Sequence, residues 1–226
     1  WKPLYGERAE VRDHYHELRL EFEQTESSHL RFDLVFRAYD EGIAFRYEIP
    51  AQSGLDSVRI AKELTEFHFP GEVAVWATTT AQGLYREIRL SALKDTVERP
   101  LVVRCSDSLY AAIGEAADVD YARMRLARAA DDPAGLRSVL GSEVVSRLPL
   151  HTPWRYVMAG TTPGALLEHN YLVENLNAPN QVSGDDWIKP GKVIRETTLT
   201  TRGGLACVDF AASHGLQYVE FDAGWY

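Results

Sequence analysis

Cysteine is scarce in this chain of 226 residues, which contains only Cys105 and Cys207. The two cysteines stand far apart in the sequence, whereas metal-binding and redox motifs place their cysteines within a few residues of each other. The spacing therefore excludes a local cysteine motif of either kind. We expect both residues to be free, buried thiols that behave as small apolar side chains.

Positive charge is also in deficit, because 24 lysines and arginines stand against 33 aspartates and glutamates, for a net charge of −9. Nucleic acids and anionic membrane surfaces attract clustered lysine and arginine, so neither is an expected partner. No apolar run approaches the ~18 residues of a membrane-spanning helix. The chain shows no signal peptide, and its abrupt opening at Trp1 is typical of a cut end.

Alternating apolar and polar residues fill three early segments, at 15–22, 30–37 and 43–49, and each predicts a strand with one buried face. The turn at 40–42 joins the last two as a hairpin. Further strand patterns recur about every ten residues, at 64–69, 72–78, 84–90, 101–104, 109–115, 121–126, 136–139 and 144–148. Because 45% of the residues are apolar, a sizeable core is expected. The sequence predicts a mainly β fold, with an antiparallel β-sandwich domain over residues 1–180.

The C-terminal segment changes to a different pattern. Extended segments at 192–195 and 216–221 flank a helical segment whose apolar residues recur at helical spacing: Leu205, Val208 and Ala212. Thr200 or Thr201 is placed to cap the start of this helix, and Gly215 stands where a left-handed helix end belongs. Strand, helix and strand form a βαβ unit, which requires a parallel sheet.

A lone parallel pair is not stable, because parallel sheets need further strands and helices on both faces. We therefore predict that residues 181–226 are the truncated start of a (β/α)8 barrel, with the domain boundary near Asn180. On this prediction the sequence is the front part of a longer protein.

Candidate substrate-binding residues follow from this barrel prediction, since ligands bind at the C-terminal ends of parallel strands. Asp222 and Trp225 come just after the second strand, where a carboxylate can bind sugar hydroxyls and an indole can cover a sugar ring. Arg195 and Glu196 end the first strand, and Lys189 precedes it. The alternatives are that Asp222 caps a following helix, that Trp225 packs under a loop, and that Lys189 is structural.

Glu115 is a carboxylate on an otherwise apolar strand face. Burying a charge is costly unless it is paired. We expect a structural ion pair, with Arg123 or Arg125 as partner. The alternative is a position at the sandwich edge that faces the barrel.

Several segments, taken in order, resemble glycoside hydrolase family 97. They are FRAYDEGIAFRYEIP at 36–50, EAADVDY at 115–121, TPWR at 152–155, LVENLNAP at 172–179, WIKPGK at 187–192, VDFAA at 208–212 and DAGWY at 222–226. No single segment is specific alone, but the ordered set covers nearly the whole chain.

The resemblance implies an exo-acting α-glycosidase that hydrolyses terminal α-linked galactosides or glucosides and uses calcium. Some members of the family retain the anomeric configuration and others invert it. The catalytic carboxylates lie on later barrel strands, so the resemblance assigns no catalytic residue to this chain. It also implies that the first sandwich strands are missing, that the partner is an oligosaccharide substrate, and that the protein is periplasmic or secreted.

The sequence departs from the family pattern in two places. Gln82 stands where the family has an acidic calcium ligand, and an amide oxygen can bind calcium without adding charge. Glu87 is the substitute candidate, with a solvent-facing strand residue as the alternative. The second departure is at 193–197, where many members have tryptophans and this chain has VIRET, so this strand end is more charged.

Two other functions compete with the glycosidase. The sandwich alone could be a non-catalytic carbohydrate-binding module, but Trp76 and Trp154 do not form the planar aromatic row of such modules. The sandwich could also only support the barrel or mediate dimer contacts.

Overall fold

The computed structural model describes residues 1–3, 6–25, 29–179, 181–187 and 189–225. Asn180, where the sequence places the domain boundary, lies outside the described residues, as do Ile188 and Tyr226 of the C-terminal motifs. By internal packing, Asp13–Pro179 form one compact unit, and Trp1–Arg12 together with Asn180–Tyr226 form another. The division into domains at residue 180 stays a prediction.

The larger unit is built mainly from short strands. They are β1 (His16–Glu23), β2 (Arg31–Tyr39), β3 (Gly42–Ile49), β4 (Ser57–Ile60), β5 (Glu66–His68), β6 (Ala74–Ala77), β7 (Arg86–Arg89), β8 (Leu101–Ser106), β9 (Leu109–Ala116), β10 (Met124–Arg128), β11 (Gly135–Leu140), β12 (Val144–Arg147), β13 (Leu150–His151) and β14 (Trp154–Gly160). Two short helices follow, α1 (Pro163–Glu168) and α2 (Tyr171–Asn175), and a 3-10 turn spans Leu90–Ala92.

A nine-stranded antiparallel sheet forms the main layer, in the order β1-β2-β3-β14-β9-β8-β6-β7, with β13 also pairing with β3. The predicted hairpin is confirmed, because β2 and β3 pair with Phe36 opposite Phe45. Strand β14 lies between β3 and β9 and pairs with both, so it brings residues distant in sequence into the middle of the sheet.

A second layer covers one end of this sheet. Strands β10, β11 and β5 form a three-stranded sheet, and β12 pairs with β4 in a smaller one. One apolar core includes Val75, Val103 and Ile113 of the main sheet together with Met124 and Leu136 of the three-stranded sheet. The predicted antiparallel sandwich is therefore confirmed for this unit.

Helices α1 and α2 cover part of the opposite face of the main sheet. A second core joins Trp154 and Tyr156 of β14 and Ala112 of β9 to Leu166 of α1 and Leu172 of α2. Strand β9 is therefore covered on both faces, because Ala112 packs in this core and Ile113 packs in the first. A small alanine fits such a doubly covered strand, where successive side chains point to opposite faces.

The prediction that the first strand has one buried face is wrong. The alternation in 15–22 predicts one buried face, yet every residue of β1 is exposed. Leu18 and Phe22 are 56% and 42% exposed although their pattern is that of an inner face. Among the described strands, β1 is the last of the sheet, and its one partner is β2. Alternation shows which side chains share a face, but the layer that covers them is set by distant parts of the chain.

The predicted ion-pair partners of Glu115 are also wrong. Glu115 pairs with Arg155, which lies opposite it across the β9–β14 ladder, and with Arg99. The predicted partners Arg123 and Arg125 instead form ion pairs with Glu98. Local spacing favoured the nearby arginines, whereas the register of β14 decides which guanidinium reaches the carboxylate.

The smaller unit contains β15 (Val193–Glu196), α3 (Thr201–His214) and β16 (Tyr218–Phe221), with a 3-10 turn at Asp185–Trp187. Strands β15 and β16 pair in parallel, with Val193 opposite Tyr218. The predicted strand, helix and strand are therefore present in the predicted order. That they begin a (β/α)8 barrel stays a prediction.

Neither cysteine takes part in a disulfide. Cys105 and Cys207 are free and half-buried, and burial raises the pKa of the Cys105 thiol. Among the described residues, no helix is both long and apolar enough to span a membrane.

The ion pairs of Glu48 on β3 lead us to predict that the sandwich unit loses stability at low pH. Burial alone raises the pKa of Glu48, but hydrogen bonds from Arg19 at 2.7 Å and from His151, with the charge of Arg46, outweigh it and hold the pKa at about 2. A carboxyl with a lowered folded pKa stabilises the fold above its unfolded pKa of 4.5. That stability is lost as the pH falls from 4.5 towards 2.

Urea unfolding measured across this pH range checks the prediction. Glu48→Gln is expected to lower the unfolding free energy at neutral pH by about 1–2 kcal/mol, a value reduced by the exposure of Arg19. The variant should also show a smaller loss between pH 4.5 and 2. Glu143→Gln, which removes an exposed pair with Arg59, is the matched control and should keep the wild-type slope. Equal acid slopes for wild type and Glu48→Gln would contradict the assignment.

Candidate functional site

The C-terminal ends of β15 and β16 lie at the same edge, because the two strands run in parallel. Arg195 and Glu196 end β15, and Asp222 follows β16 directly. Three of the predicted substrate-binding residues therefore come together at one edge of the pair. In parallel α/β folds this edge is where ligands bind.

Arg195 and Asp222 form an ion pair at this edge. The Nη2 atom of Arg195 lies 2.5 Å from Oδ2 of Asp222, and the side chains are 58% and 49% exposed. The Oδ1 atom of Asp222 accepts a hydrogen bond from the Ala223 amide at 2.7 Å. The pair therefore presents guanidinium donors beside carboxylate acceptors, and both groups remain accessible to a ligand. Neighbouring hydroxyls of a sugar ring are suitable partners for such a set.

Glu196 is held differently, because its side chain turns into the loop between β15 and α3. The residue is buried, and its carboxylate accepts hydrogen bonds from the Thr198 amide at 2.7 Å, from the Leu199 amide at 2.5 Å and from the Thr198 hydroxyl. These bonds lower the pKa of Glu196, led by the Thr198 hydroxyl. Both carboxylate oxygens thus fix the loop, and a sugar contact through Glu196 stays a prediction.

The ends of α3 follow the sequence prediction. The Thr200 hydroxyl accepts a hydrogen bond from the Gly203 amide at 3.0 Å and caps the helix start. Gly215 has φ +67° and ends the helix in the left-handed conformation. The apolar residues that recur at helical spacing, Leu205, Val208 and Ala212, are all exposed. The buried residues of the helix are Gly204 and Ala211. Helix α3 packs closely on β16, since a methyl group at Gly204 would lie 3.0 Å from the Phe221 ring.

At Gly203 we expect replacement with alanine to destabilise helix α3, whereas the same replacement usually stabilises a helix. A Cβ atom at Gly203 would lie 2.1 Å from the Thr198 hydroxyl and 2.3 Å from Oε1 of Glu196. Replacing a helical glycine with alanine ordinarily stabilises by about 0.5–1 kcal/mol. Here we expect Gly203→Ala to destabilise the unit by about 1–3 kcal/mol, because the loop must move. Hydrogen exchange of the α3 amides measures the loss of protection.

The matched control is Gly164→Ala in α1. A methyl group there meets only the Thr162 hydroxyl, at 3.8 Å, so it fits without movement. This variant should be neutral or slightly stabilising by thermal unfolding. Unchanged protection of α3 in Gly203→Ala would show that the loop does not depend on the glycine.

Trp225 lines a groove beside α3, and Asp222 does not line it. The groove has a volume of about 530 Å³ and is formed by the loop before α3, by Leu205 and Val208 of the helix, by Phe221 and by Trp225. The Trp225 side chain is 64% exposed. Its indole therefore offers an apolar surface, and the polar pair of Arg195 and Asp222 forms a separate part of the site.

Lys189 lies before β15 in an exposed segment. Its backbone carbonyl accepts a hydrogen bond from the Tyr218 hydroxyl, which anchors this segment to β16. The structure thus gives the Lys189 backbone a structural role, and substrate binding by its ammonium group stays a prediction.

The predicted calcium ligands lie in the sandwich unit. Gln82 occupies a turn with φ +59°, and Glu87 on β7 accepts a hydrogen bond from Arg104 at 3.1 Å. Calcium requires six to eight oxygen ligands, several of them commonly carboxylates. In the described part of the chain, no group of three or more acidic, histidine or cysteine side chains could hold a metal. Because Arg104 already neutralises Glu87, these residues alone do not fit calcium.

A sequence model described as Glycosyl-hydrolase 97 N-terminal matches residues 1–179 of this chain. The chain belongs to glycoside hydrolase family 97. The match covers the whole sandwich unit, so the resemblance read from the ordered motifs is confirmed.

The chain is also similar to two relatives that are named as alpha-galactosidases. The chain is 25% identical over 275 residues to a retaining alpha-galactosidase of Bacteroides thetaiotaomicron, covering 99% of this chain and 40% of that protein. It is 28% identical over 210 residues to a probable retaining alpha-galactosidase of Streptomyces bingchenggensis, covering 87% and 32%. The chain therefore spans two fifths or less of the length of these two relatives.

Solved structures of family 97 share the fold. Two structures of an enzyme from Pseudoalteromonas sp. strain K8, in complex with panose and with acarbose, each match with a TM-score of 0.84 and 30% identity. Each match covers 100% of this chain and 39% of that one.

Sequence reasoning missed the residues that hold this edge together. Thr198 and the Leu199 amide fix Glu196, yet neither was singled out. The signal was available in the pattern ETTLT at 196–200, where a carboxylate precedes threonines at a helix start.

Proposed function

We propose that the protein containing this chain is an exo-acting α-glycosidase that hydrolyses terminal α-linked galactosides with retention of configuration. Membership of family 97 and the two retaining alpha-galactosidases among its relatives support the reaction class. An α-glucoside is the alternative substrate, since the structural relatives were solved with panose and acarbose. No catalytic residue is assigned within this chain.

The observation that carries the proposal is the accessible pair of Arg195 and Asp222 at the C-terminal edge of two parallel strands. An exo-acting enzyme must recognise the hydroxyls of one terminal sugar. A carboxylate held by a guanidinium supplies acceptors and donors at fixed positions, which favours one pattern of hydroxyls over another. The exposed indole of Trp225 adds an apolar surface of the kind that packs on sugar rings.

A non-catalytic binding module is less well supported. Trp154 is 1% exposed, and the guanidinium carbons of Arg37 and Arg46 lie over its ring, 4.7 and 4.5 Å from the ring centroid, so it offers no surface to a polysaccharide. Trp76 packs against Tyr110 on the main sheet. Titration of this chain with oligosaccharides separates the two functions, because a module binds several sugar units with the sandwich alone.

Hydrolysis of nitrophenyl α-galactoside and nitrophenyl α-glucoside by the complete protein tests the proposal. We expect turnover of the galactoside, and slower turnover of the glucoside. Turnover of neither substrate, with calcium present, would overturn the glycosidase assignment. Running the assay with calcium and with a chelator tests the metal, which stays a prediction, as does a periplasmic or secreted location.

A further inference from the structure

A cavity in the sandwich unit is lined by none of the residues predicted to bind substrate or calcium, although the loop that carries Gln82 forms one of its walls. It has a volume of about 500 Å³, within the range of small-molecule pockets. Its walls come from the loop after β6, from β7 and from the segment that follows the 3-10 turn. We call it the threonine cleft, and its polar lining consists of Thr78, Thr79, Thr80, Arg86, Lys94 and Asp95.

The two loops of the threonine cleft are tied together from behind by one side chain. The Nη2 atom of Arg125 donates to the Thr79 carbonyl at 2.6 Å and to the Thr96 carbonyl at 3.0 Å. The Thr78 carbonyl also accepts a hydrogen bond from the Glu98 amide at 2.9 Å. Both walls are therefore fixed before a ligand arrives, which reduces the entropic cost of binding.

The bend of the first loop is equally constrained. The Thr78 hydroxyl donates to the Thr80 carbonyl at 3.1 Å, and the Gly83 amide donates to the same carbonyl at 3.0 Å. A Cβ atom at Gly83 would lie 2.2 Å from the Thr78 hydroxyl and 2.6 Å from that of Thr80. Only glycine allows this close approach, and the exposed side chains of Thr79 and Thr80 are held at the rim.

The charged side chains of the threonine cleft are those of Arg86, Lys94 and Asp95. In the part of the chain that the structure describes, the side chains of Arg86, Lys94 and Asp95 make no hydrogen bond or ion pair. Two cations and one carboxylate give the lining a net positive charge, although the chain as a whole carries −9. The floor is apolar and includes Leu93 and Val97, both buried in the core.

We infer that the threonine cleft binds a sugar acid, a monosaccharide with a carboxylate such as a uronic acid. The ligand carboxylate would lie between Arg86 and Lys94, which are its natural partners. Its hydroxyls would bond to Asp95 and to the threonine hydroxyls, and the apolar floor would pack on its C–H face. The choice of a sugar as the ligand that bears the carboxylate rests on the proposed function. The positive charge of the cleft does not depend on that function.

Titration of this chain with sodium galacturonate, followed by saturation-transfer NMR, tests the inference. We expect saturable binding, with galactose binding at least about tenfold more weakly because it lacks the carboxylate. Arg86→Gln/Lys94→Gln should weaken galacturonate binding by about tenfold or more. The matched control, Arg128→Gln/Arg147→Gln, removes two exposed arginines outside the cleft and should bind as wild type. All four side chains are exposed, so circular dichroism should show folded variants.

Several results would overturn the inference. They are absence of saturable galacturonate binding, equal affinity for galactose, and unchanged affinity in Arg86→Gln/Lys94→Gln. Displacement of galacturonate by an equal concentration of sulfate would show a site for any small anion and would overturn the sugar-acid assignment. The binding assay needs no catalysis. Failure of α-galactoside hydrolysis would therefore contradict the proposed function without changing the measured binding of galacturonate.

Discussion

Arg155→Met is expected to lower the unfolding free energy of the sandwich unit by about 3–5 kcal/mol. The Arg155 side chain is 0% exposed and binds Glu63 through two bonds, Nε to Oε1 at 2.8 Å and Nη2 to Oε2 at 2.5 Å. Its Nη1 atom donates to Glu115 at 2.7 Å. Removing the guanidinium leaves two buried carboxylates without their shared cation, and breaking such a pair costs more than the pair itself contributes.

The pKa shifts of Arg155 and Glu115 agree with a strong interaction between the guanidinium and the buried carboxylates. Desolvation lowers the pKa of Arg155, but the hydrogen bond and charge of Glu63 outweigh it, so the guanidinium stays charged. Desolvation raises the pKa of Glu115, against the charges of Arg155 and Arg99. The charges of Arg155 and Arg99 therefore offset part of the cost of burying the Glu115 carboxylate.

Two variants make the measurement decisive. Arg59→Met removes an exposed ion pair with Glu143 and should cost less than about 1 kcal/mol. The triple variant Glu63→Gln/Arg155→Met/Glu115→Gln removes all three charges and should recover at least half of the loss, because it leaves no buried unpaired charge. Urea unfolding of the four proteins gives the comparison. A cost for Arg155→Met no larger than that for Arg59→Met would contradict the prediction.

On the proposed function, Asp222→Asn is expected to lower kcat/KM of the complete protein for nitrophenyl α-galactoside by about 10–100-fold. Hydrogen bonds to a charged group are worth about 1.5–3 kcal/mol, and this carboxylate is the acceptor predicted for the sugar hydroxyls. The substitution also breaks the ion pair with Arg195, so the two positions should not act independently.

Arg195→Gln and the double variant complete the comparison. If both side chains bind the sugar as one unit, the double variant should lose little more activity than either single variant. Asp209→Asn, an exposed carboxylate on α3, is the control and should keep nearly full activity. Full activity of Asp222→Asn would remove this residue from the site.

Local signals predicted the local structures well. The βαβ unit follows the sequence because Thr200 and Gly215 mark the ends of α3 through their own backbone preferences. The hairpin of β2 and β3 likewise depends on a turn and on neighbouring alternation. These features require no knowledge of distant residues.

Contacts between distant segments could not be read in the same way. Strand β4 was missed, and it pairs with β12, with Ile60 opposite Val144. Arg155 was likewise not singled out, because its partner Glu63 is 92 residues away and nothing near either residue marks the pair. The same limit applies to the candidate site, where Asp222 and Trp225 are three positions apart in the sequence but have different neighbours.

The most direct test of the account is proton NMR during hydrolysis of nitrophenyl α-galactoside by the complete protein, with calcium present. A retaining glycosidase releases the product first as the α-anomer, which later converts to the β-anomer by mutarotation. We predict that α-galactose appears first. Release of the β-anomer first, or no release of galactose at all, would contradict the proposal that the protein containing this chain is a retaining α-galactosidase.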